Sequence, residues 1–520
     1  MDLLNKLLNY YNLSNEDYLN LSQPIEQISL YDVSLIPDIK LIVDRVNKAI
    51  KKKEKIIIYG DYDCDGICST SIVKATFDKL NYPVSYYIPS RYIDGYGLNV
   101  DNVIKIAEQG FKLIITVDNG ISANEAIEIA NKNGIDVIVI DHHELPLEKV
   151  NALGIIHPIY SHISPIVGSG GYMSLFFSRA LLGKYDDYLI TLAGLSTVSD
   201  LMELKGYNRD IVRLALHNLD KQKQNYYALS LLKESNVITE KTFSLEIAPK
   251  INAVGRLVSD TSVNRLVKFL VSQDKKEIDS LLLWINQINE QRKQLTKDAV
   301  EALPTFENVD GICIKTELKE GLIGLIANRL LNQYQVPSIV FTSNESDHNI
   351  LKGSIRSKEG FNVTKAFASL NKYLLTGGGH ALAGGLSIKQ SDFENFKKDF
   401  LSLCHEHKII GDNKEYIEIA CQDINKNNYE LIRTFSPFGM GNPEPNFIIK
   451  NIPTRGLTFI SNGKHLSTAL SINSKLLGFN IDETKFKTNS IVDLYGYFNL
   501  SEFRGYRTIE FRIDKYLKSN

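Results

Sequence analysis

At 520 residues the chain exceeds what one hydrophobic core can organise, and roughly 150 residues per domain divides it into about three or four. A hydrophobic content of 43% and a charged content of 23% exclude extended disorder, and a net charge of −2 requires any nucleic-acid binding to rest on a local basic surface. Five scattered cysteines (Cys64, Cys68, Cys313, Cys404, Cys421) lack metal-ligand spacing, and their odd number argues against a disulfide framework and for a reducing compartment. The opening MDLLNKLLNYYNLSNEDYLN mixes charges into its leucines, so no signal peptide is read there. No window approaches ~18 uninterrupted apolar residues, so no membrane span is expected. A soluble, cytoplasmic protein is the expectation.

In chain order, residues 1–50 read as a helical, polar lead-in, with Lys48, Lys51, Lys52, Lys53 and Lys55 as a solvated helix end. From Lys55 short apolar runs alternate with helical stretches. KIIIYG, VSYYIP, KLIITVD and IDVIVID read as strands; STSIVKATFDKL, DNVIKIAEQ and ANEAIEIANKN read as helices. Continuous β-branched runs belong to strands covered on both faces, which predicts a parallel α/β sheet over 51–205, ended by the buried helix YLITLAGLSTVSDLM. Residues 206–305 read as an almost wholly helical, amphipathic connector. Strand signals return in GICIKT, PSIVFT and ILKGSIRS around the helix GLIGLIANRLLNQY, predicting a second α/β domain over 306–410. From 411 to 520, NFIIKNIP, HLSTALSI, SIVDLYGYFNL and RTIEFRI have the spacing of a small β-barrel.

The stretch IIIYGDYDCDG crowds Asp61, Asp63 and Asp65 at the end of a buried strand, where like charges repel. An isolated D-x-D after a strand is more often a turn or a cap than a ligand pair, and a lone H-H is usually a surface or core pair. Here, however, several segments reach one edge of a doubly wound sheet, the edge where ligands collect. The next strand ends in Asp118 of VDNG, the third in Asp141, His142, His143 and Glu144, and the buried helix in Asp200. Carboxylates mixed with imidazole suit Mn²⁺ or Mg²⁺ better than a thiolate-loving metal. Asp63, Asp65, Asp118 and Asp200 would balance two divalent ions, and a metal pair ~3.5–4 Å apart can clamp the attacking and leaving oxygens of a phosphoryl group.

GDYDCDG, VDNG, DHHE and STVSD, in this order, resemble the DHH phosphoesterase superfamily, and over roughly residues 50–515 the chain resembles its single-strand-specific 5′→3′ exonuclease family. YIPSRYIDGYGLN (Arg91, Gly95, Tyr96, Gly97), IAPKINAVGRL (Asn252, Gly255, Arg256), KEGLIGLIANRL, KGSIRS, GGGHALAGG, SPFGMGNPEPNF and NLSEFRGYRTIEFRI carry that likeness through a DHH-associated domain and an oligonucleotide-binding barrel. The resemblance implies Asp63, Asp65, Asp118, His142 and Asp200 as metal ligands, with His143 facing the scissile phosphate. Asp61 and Asp141 become groups that orient loops and the His142 ring. Tyr59 departs from the histidine that several superfamily members place there, which implies fewer protein ligands and weaker binding of one metal.

Ser354 and Arg356 of GSIRS are where the resemblance places the 5′ end, a guanidinium forking onto phosphate as lysine cannot. Gly378, Gly379 and His380 offer a close backbone approach beside an imidazole. Asn252, Arg256, Asn289 and Arg292 of the connector are candidate backbone contacts, although a helix carries such residues on its wet face anyway. In the barrel, Phe447, Phe459, Lys464, His465, Phe503, Arg504, Tyr506 and Arg507 interleave aromatics and cations as a single-strand groove would, and many of the aromatics must instead fill its interior.

The expected reaction is stepwise hydrolysis of single-stranded DNA from the 5′ end to 5′-mononucleotides with two Mn²⁺ or Mg²⁺ ions, in recombination and repair. Asp63, Asp118 and His143 form the expected catalytic set. The expected partners are single-stranded DNA, a single-strand-binding protein and a helicase; a monomer and no membrane contact are expected. No further C-terminal protein-binding domain of the kind some relatives carry is expected. The rival readings are an oligonucleotide or cyclic-dinucleotide phosphodiesterase of the same superfamily, and a non-catalytic replication scaffold.

Overall fold

The computed structural model describes residues 2–95, 97–161, 168–221, 227–344, 347–407, 409, 414–481 and 490–518. The lead-in forms α1 (Leu3–Tyr11), α2 (Asn15–Leu21) and α3 (Ile39–Lys52), the first two started by Asp2 and Ser14, whose side chains accept backbone N–H groups of the first turn. Next come β1 (Ile56–Tyr59), α4 (Cys64–Lys79), β2 (Ser85–Tyr87), α5 (Val100–Glu108), β3 (Leu113–Val117), α6 (Asn124–Lys132), β4 (Asp136–Ile140) and β5 (Gly154–Ile156). These strands make one sheet in the order β2-β1-β3-β4-β5, every pair parallel. Ile56 and Ile58 point into a core with α3, α4, α7 (Gly170–Leu182) and α8 (Asp187–Ser199), while Ile57 and Tyr59 point into a second core under α5 and α6. Both faces are buried, which is why the strands need no polar alternation.

The connector runs through α9 (Gly206–Lys221), α10 (Tyr227–Leu232), a π-helical turn (Thr242–Ile247), α11 (Ala248–Leu257), α12 (Asn264–Val271) and α13 (Lys275–Glu301). Ile251, Val254, Leu266, Phe269, Ile278 and Ile285 lie in the same core as Ile58 and Ile67, so these helices are built onto the parallel-sheet unit. Gly255 is required at this seam, because a Cβ there would stand 2.1 Å from the Tyr62 carbonyl oxygen. The 27-residue α13 is about 40 Å long and its far end packs into the next unit through Ala299 and Val300.

That unit contains β6 (Ile312–Thr316), α14 (Glu320–Tyr334), β7 (Ser338–Ser343), β8 (Ile350–Arg356), α15 (Val363–Ser369), β9 (Leu374–Gly379), β10 (Ala383–Lys389) and α16 (Phe393–Glu406). Its strand order is β6-β7-β8-β10-β9, with β6–β7 parallel and the rest antiparallel. The C-terminal unit has β11 (Ile417–Glu418), α17 (Lys426–Thr434), β12 (Phe447–Pro453), β13 (Phe459–Ile460), β14 (His465–Ser471), β15 (Ser474–Gly478), β16 (Ile491–Phe503) and β17 (Tyr506–Lys518), in the order β11-β12-β16-β17-β15-β14-β13.

The lead-in serves two units. Leu7 and Leu8 of α1 are buried in the C-terminal core with Phe435, Phe447 and Leu494, and the Tyr11 ring stacks on Phe435 at 5.3 Å. Lys6 and Tyr11 donate to the carbonyls of Glu418 and Pro443 at 2.6 and 2.8 Å. α3, in contrast, covers the parallel sheet through Ile39, Ile42 and Val46. Among the described residues no helix is long and apolar enough to cross a membrane.

Candidate metal centre

The carboxyl ends of β1, β3 and β4 and the C-terminus of α8 meet at one place. Asp61 follows β1 and is buried, Asp63 caps α4 by accepting the Gly66 N–H at 3.1 Å, and Asp65 sits in the first turn of α4. A helix N-terminus favours negative charge. The Asp65 carboxylate is held in place by four hydrogen bonds: it accepts the N–H groups of Gly170 and Gly171 at 2.8 Å each and the hydroxyls of Ser196 and Ser69 at 2.5 and 3.2 Å. Asp118 stands just beyond β3 with φ +60°, a left-handed backbone that non-glycine residues adopt mainly where the surroundings enforce it. Asn119 ties this turn to its neighbour by donating to the carbonyls of Tyr59, Gly60 and Val117.

The His142 Nε2 atom lies 3.1 Å from Asp118 Oδ1, 3.5 Å from Asp200 Oδ2 and 3.6 Å from Asp65 Oδ2. Asp65, His142 and Asp200 therefore form one compact ligand group, while Asp61, Asp63 and Asp118 form another, the ligand atoms of each lying within 4.8 Å of one another; Asp118 also groups with His142 and His143. The five sequence-expected ligands thus converge. Asp61, expected only to orient loops, stands among them, and its buried Oδ1 has no hydrogen-bond partner among the described residues.

Asp141 holds its loop, but the ring it holds is not the one expected. Its carboxylate accepts the backbone N–H groups of His142, His143 and Ile121, and the ring it holds is that of His143, with Nδ1 2.7 Å from Asp141 Oδ1. The reason is local: Asp141 is directed back into its own loop, whereas the His142 ring points across to Asp118. His157, buried and absent from the sequence reading, lies with Nε2 2.9 Å from the His143 carbonyl oxygen and steadies the same loop. Tyr59 turns away from the centre: its hydroxyl donates to the Gly97 carbonyl at 3.2 Å and accepts from Asn102 at 2.9 Å, on the α5 side of the sheet.

Burial, with the repulsion of Asp63 added, pushes Asp61 up to about 8. Burial and then Asp65 raise Asp63, and burial followed by Asp65 and Asp63 raises Asp118 and takes Asp200 up to about 8. Burial lowers His142, which leaves its imidazole neutral and able to ligate. His143 goes the other way: burial opposes its charge, but the hydrogen bond to Asp141 and that carboxylate's charge outweigh it and carry the ring up to about 9. Asp141 is held low in turn, its own burial outweighed by the His143 contact. A cluster of repelling, desolvated carboxylates around a neutral imidazole, with an orphaned carboxylate oxygen, fits a hard or borderline divalent cation.

Guanidinium groups gather near this cluster. Arg91 lies over the Tyr62 ring at 4.4 Å. Arg256 Nη1 donates to the Gly321 carbonyl at 3.2 Å, bridging α11 to the start of α14. Arg356 is braced by the Ser354 hydroxyl at 3.0 Å and the Ile355 carbonyl at 2.7 Å. Burial, then the charges of Arg91 and Arg356, take Arg256 down to about 10, so these three cations feel one another. Gly378, Gly379 and His380 lie in the exposed β9–β10 hairpin, where His380 is 3.9 Å from Glu144 of the DHHE loop across the cleft.

Other expected contacts are already engaged. Asn252 Oδ1 accepts the Cys64 N–H at 2.8 Å, and Asn289 is buried, accepting from Arg292 at 2.9 Å. In the barrel unit Phe447 is interior, whereas Phe503 and Tyr506 are 69% and 80% exposed, paired across the β16–β17 turn with Arg504 over the Phe503 ring. Tyr96 lies outside the described residues.

Three family models match the chain: the DHH family, N-terminal domain at residues 55–204, the DHHA1 domain at 308–406 and the RecJ OB domain at 417–515. The single-stranded-DNA-specific exonuclease RecJ of Bacillus subtilis (strain 168) is 32% identical over 498 residues, covering 91% of this chain and 62% of that protein's length. The RecJ of Dickeya dadantii (strain 3937) is 28% identical over 531 residues, covering 93% of this chain and 91% of that protein. The crystal structure of RecJ in complex with Mn²⁺ from Thermus thermophilus shares the fold with a TM-score of 0.82 at 22% identity, over 99% of this chain and 78% of that one.

Proposed function

The chain belongs to the RecJ family of DHH-domain proteins, and on that premise we propose that it hydrolyses single-stranded DNA from the 5′ end to 5′-mononucleotides. The observation that carries this reading is the pair of adjoining ligand groups, Asp61/Asp63/Asp118 and Asp65/His142/Asp200, near the Arg91, Arg256 and Arg356 cluster. The first group and the second would each hold one divalent cation, Mn²⁺ or Mg²⁺, as the names of the crystallised relatives suggest. Bound there, such ions supply the Lewis acidity that phosphoryl transfer to water requires.

The protein's own groups do the rest. Arg356, braced by Ser354, forks onto the 5′ phosphate, and Arg256 and Arg91 neutralise the phosphates that follow. His143, held by Asp141 and carrying its proton at neutral pH, offers a charged N–H to the phosphoryl oxygens as their charge grows. Water adds to the phosphorus that links the terminal nucleotide to the next, the P–O3′ bond breaks, and the terminal 5′-mononucleotide leaves with a free 3′ hydroxyl while the shortened strand keeps a 5′ phosphate. Phe503 and Tyr506 offer faces on which downstream bases stack without sequence readout. Residues 55–204 supply the catalytic unit, 308–406 the phosphate grip and 417–515 the strand-holding unit. A cytoplasmic monomer that receives strand from a helicase and a single-strand-binding protein completes the proposal, because an enzyme of unpaired DNA depends on proteins that expose and coat it.

The test is a time course on single strands labelled at either end, with Mn²⁺ present. The 5′ label should appear at once as mononucleotide while the 3′ label shortens stepwise. Cleavage confined to dinucleotides would favour the phosphodiesterase reading, and no cleavage at all would favour the scaffold.

A further inference from the structure

Asp200 is held differently from its neighbours. Asp61, Asp118 and Asp141 follow strands of the sheet, whereas Asp200 is the C-cap of α8, with its side chain 31% exposed against 3% for Asp118. The backbone after it turns back on the helix, with Leu201 at φ +56° and the Met202 N–H donating to the Thr197 carbonyl at 3.2 Å. Two residues on, the loop meets the C-terminal unit. The Leu204 N–H donates to the Met440 carbonyl at 2.8 Å, and the buried Leu204 side chain lies where a Cβ on Gly439 would be 2.8 Å from it. Gly441, at φ +71°, lies against Glu203, whose Cβ and Cγ are 3.2 Å from the position of an added Cβ.

The turn that makes these contacts is itself clamped. Gly439 and Asn442 exchange backbone hydrogen bonds at 2.9 and 3.2 Å, and the Asn442 side chain donates to the carbonyls of Phe435 and Pro437 at 2.8 Å each. From α9, the buried Arg209 donates to the carbonyls of Thr434 and Ser436 at 3.0 and 2.8 Å, and to that of Leu21 at 3.1 Å. Its neighbour Asn208 donates to the Glu203 carbonyl at 3.1 Å. One helix therefore grips both the loop that follows Asp200 and the turn of the C-terminal unit packed on it.

We infer that the 436–442 turn positions Asp200, so that the seat of the C-terminal unit against residues 201–204 sets the cation affinity of the centre. This rests on the cation reading given above. Partners behind a metal ligand typically change affinity ~10–100-fold when lost. Gly439→Val places a side chain against Leu204 and should lift the turn. Shortening Leu204 to alanine should make room for it again.

The experiment titrates Mn²⁺ into the full chain and follows the loss of the free-ion electron paramagnetic resonance signal, alongside thermal melting. Gly439→Val should weaken Mn²⁺ binding about tenfold, and the Gly439→Val/Leu204→Ala double variant should bind as the parent does within about threefold. Gly441→Ala, a milder displacement, should weaken binding in the same direction even if Gly439→Val fails to fold. Folded single variants that bind Mn²⁺ like the parent would overturn the positioning role alone, whereas a parent chain that takes up no Mn²⁺ would overturn the cation reading with it.

Discussion

The glycine that closes GDYDCDG offers a sharp test of how finely the centre is placed. A methyl group on Gly66 would stand 2.6 Å from both Cβ and the carbonyl oxygen of Asp61. Ordinary contact begins near 3.4 Å, so the two segments must part by about 0.8 Å. The obstructing atoms are backbone and Cβ, which no rotamer change can move. The first turn of α4 must shift instead, and it carries Asp63, whose side chain accepts the Gly66 N–H, together with Asp65. Overpacking of this kind costs ~1–3 kcal/mol of stability, while misplacing reacting groups by ~1 Å costs ~10²-fold in rate. Gly66→Ala should thus melt modestly earlier and lose about two orders of magnitude in kcat, measured as Mn²⁺-dependent release of 5′ nucleotides from single-stranded DNA. A kcat within threefold of the parent would refute the claim that the Asp61–Asp65 turn is held to sub-ångström tolerance.

Asp118→Asn or His142→Ala should abolish hydrolysis, and full activity in either variant contradicts the ligand assignment. Asp61 and Asp200 have folded-state values raised to about 8, so their contribution is present below the ordinary carboxylate value of 3.8 and is lost as pH rises through about 8. Metal-free protein should therefore lose stability across that interval while Mn²⁺ affinity climbs, since protons leave as the cation enters; melting with and without chelator at several pH values checks both. Arg356→Lys keeps the charge but loses the fork, and should lower kcat/KM on 5′-phosphorylated strands about tenfold (~1.4 kcal/mol), with unchanged kcat/KM ruling out the phosphate grip. Leu7→Ala should destabilise by ~2–5 kcal/mol as a core truncation, read from denaturant unfolding of the C-terminal unit.

The legible features were local ones. The β-branched runs at 56–58, 114–117 and 137–140 announced strands buried on both faces, and the acidic ends of β1, β3 and α8 announced a cluster of carboxylates. Parallel packing then brings strand ends to one edge almost by construction, which puts Asp61, Asp63, Asp65, Asp118, residues 141–144 and Asp200 together, whereas singling out Asp63, Asp65, Asp118, His142 and Asp200 as ligands rested on the family resemblance. The aromatic content of the last unit was equally visible, but not which rings face out: Phe447 is interior and Phe503 is exposed.

Propensity, alternation and capping act over a few residues, so contiguous sequence by itself determined the elements, their order and the chemistry at their ends. Tertiary structure alone decided that α1 enters the core of the C-terminal unit, that Asp141 holds the His143 ring, that Asp61 stands among the candidate ligands, and that the Asn252 side-chain oxygen Oδ1 accepts the Cys64 N–H. An amphipathic stripe states that a helix must bury a face, but hydrophobic burial is non-directional and names no partner. Which side chains meet across those interfaces depends on backbone approaches of tenths of an ångström, and these arise only when the whole chain has packed.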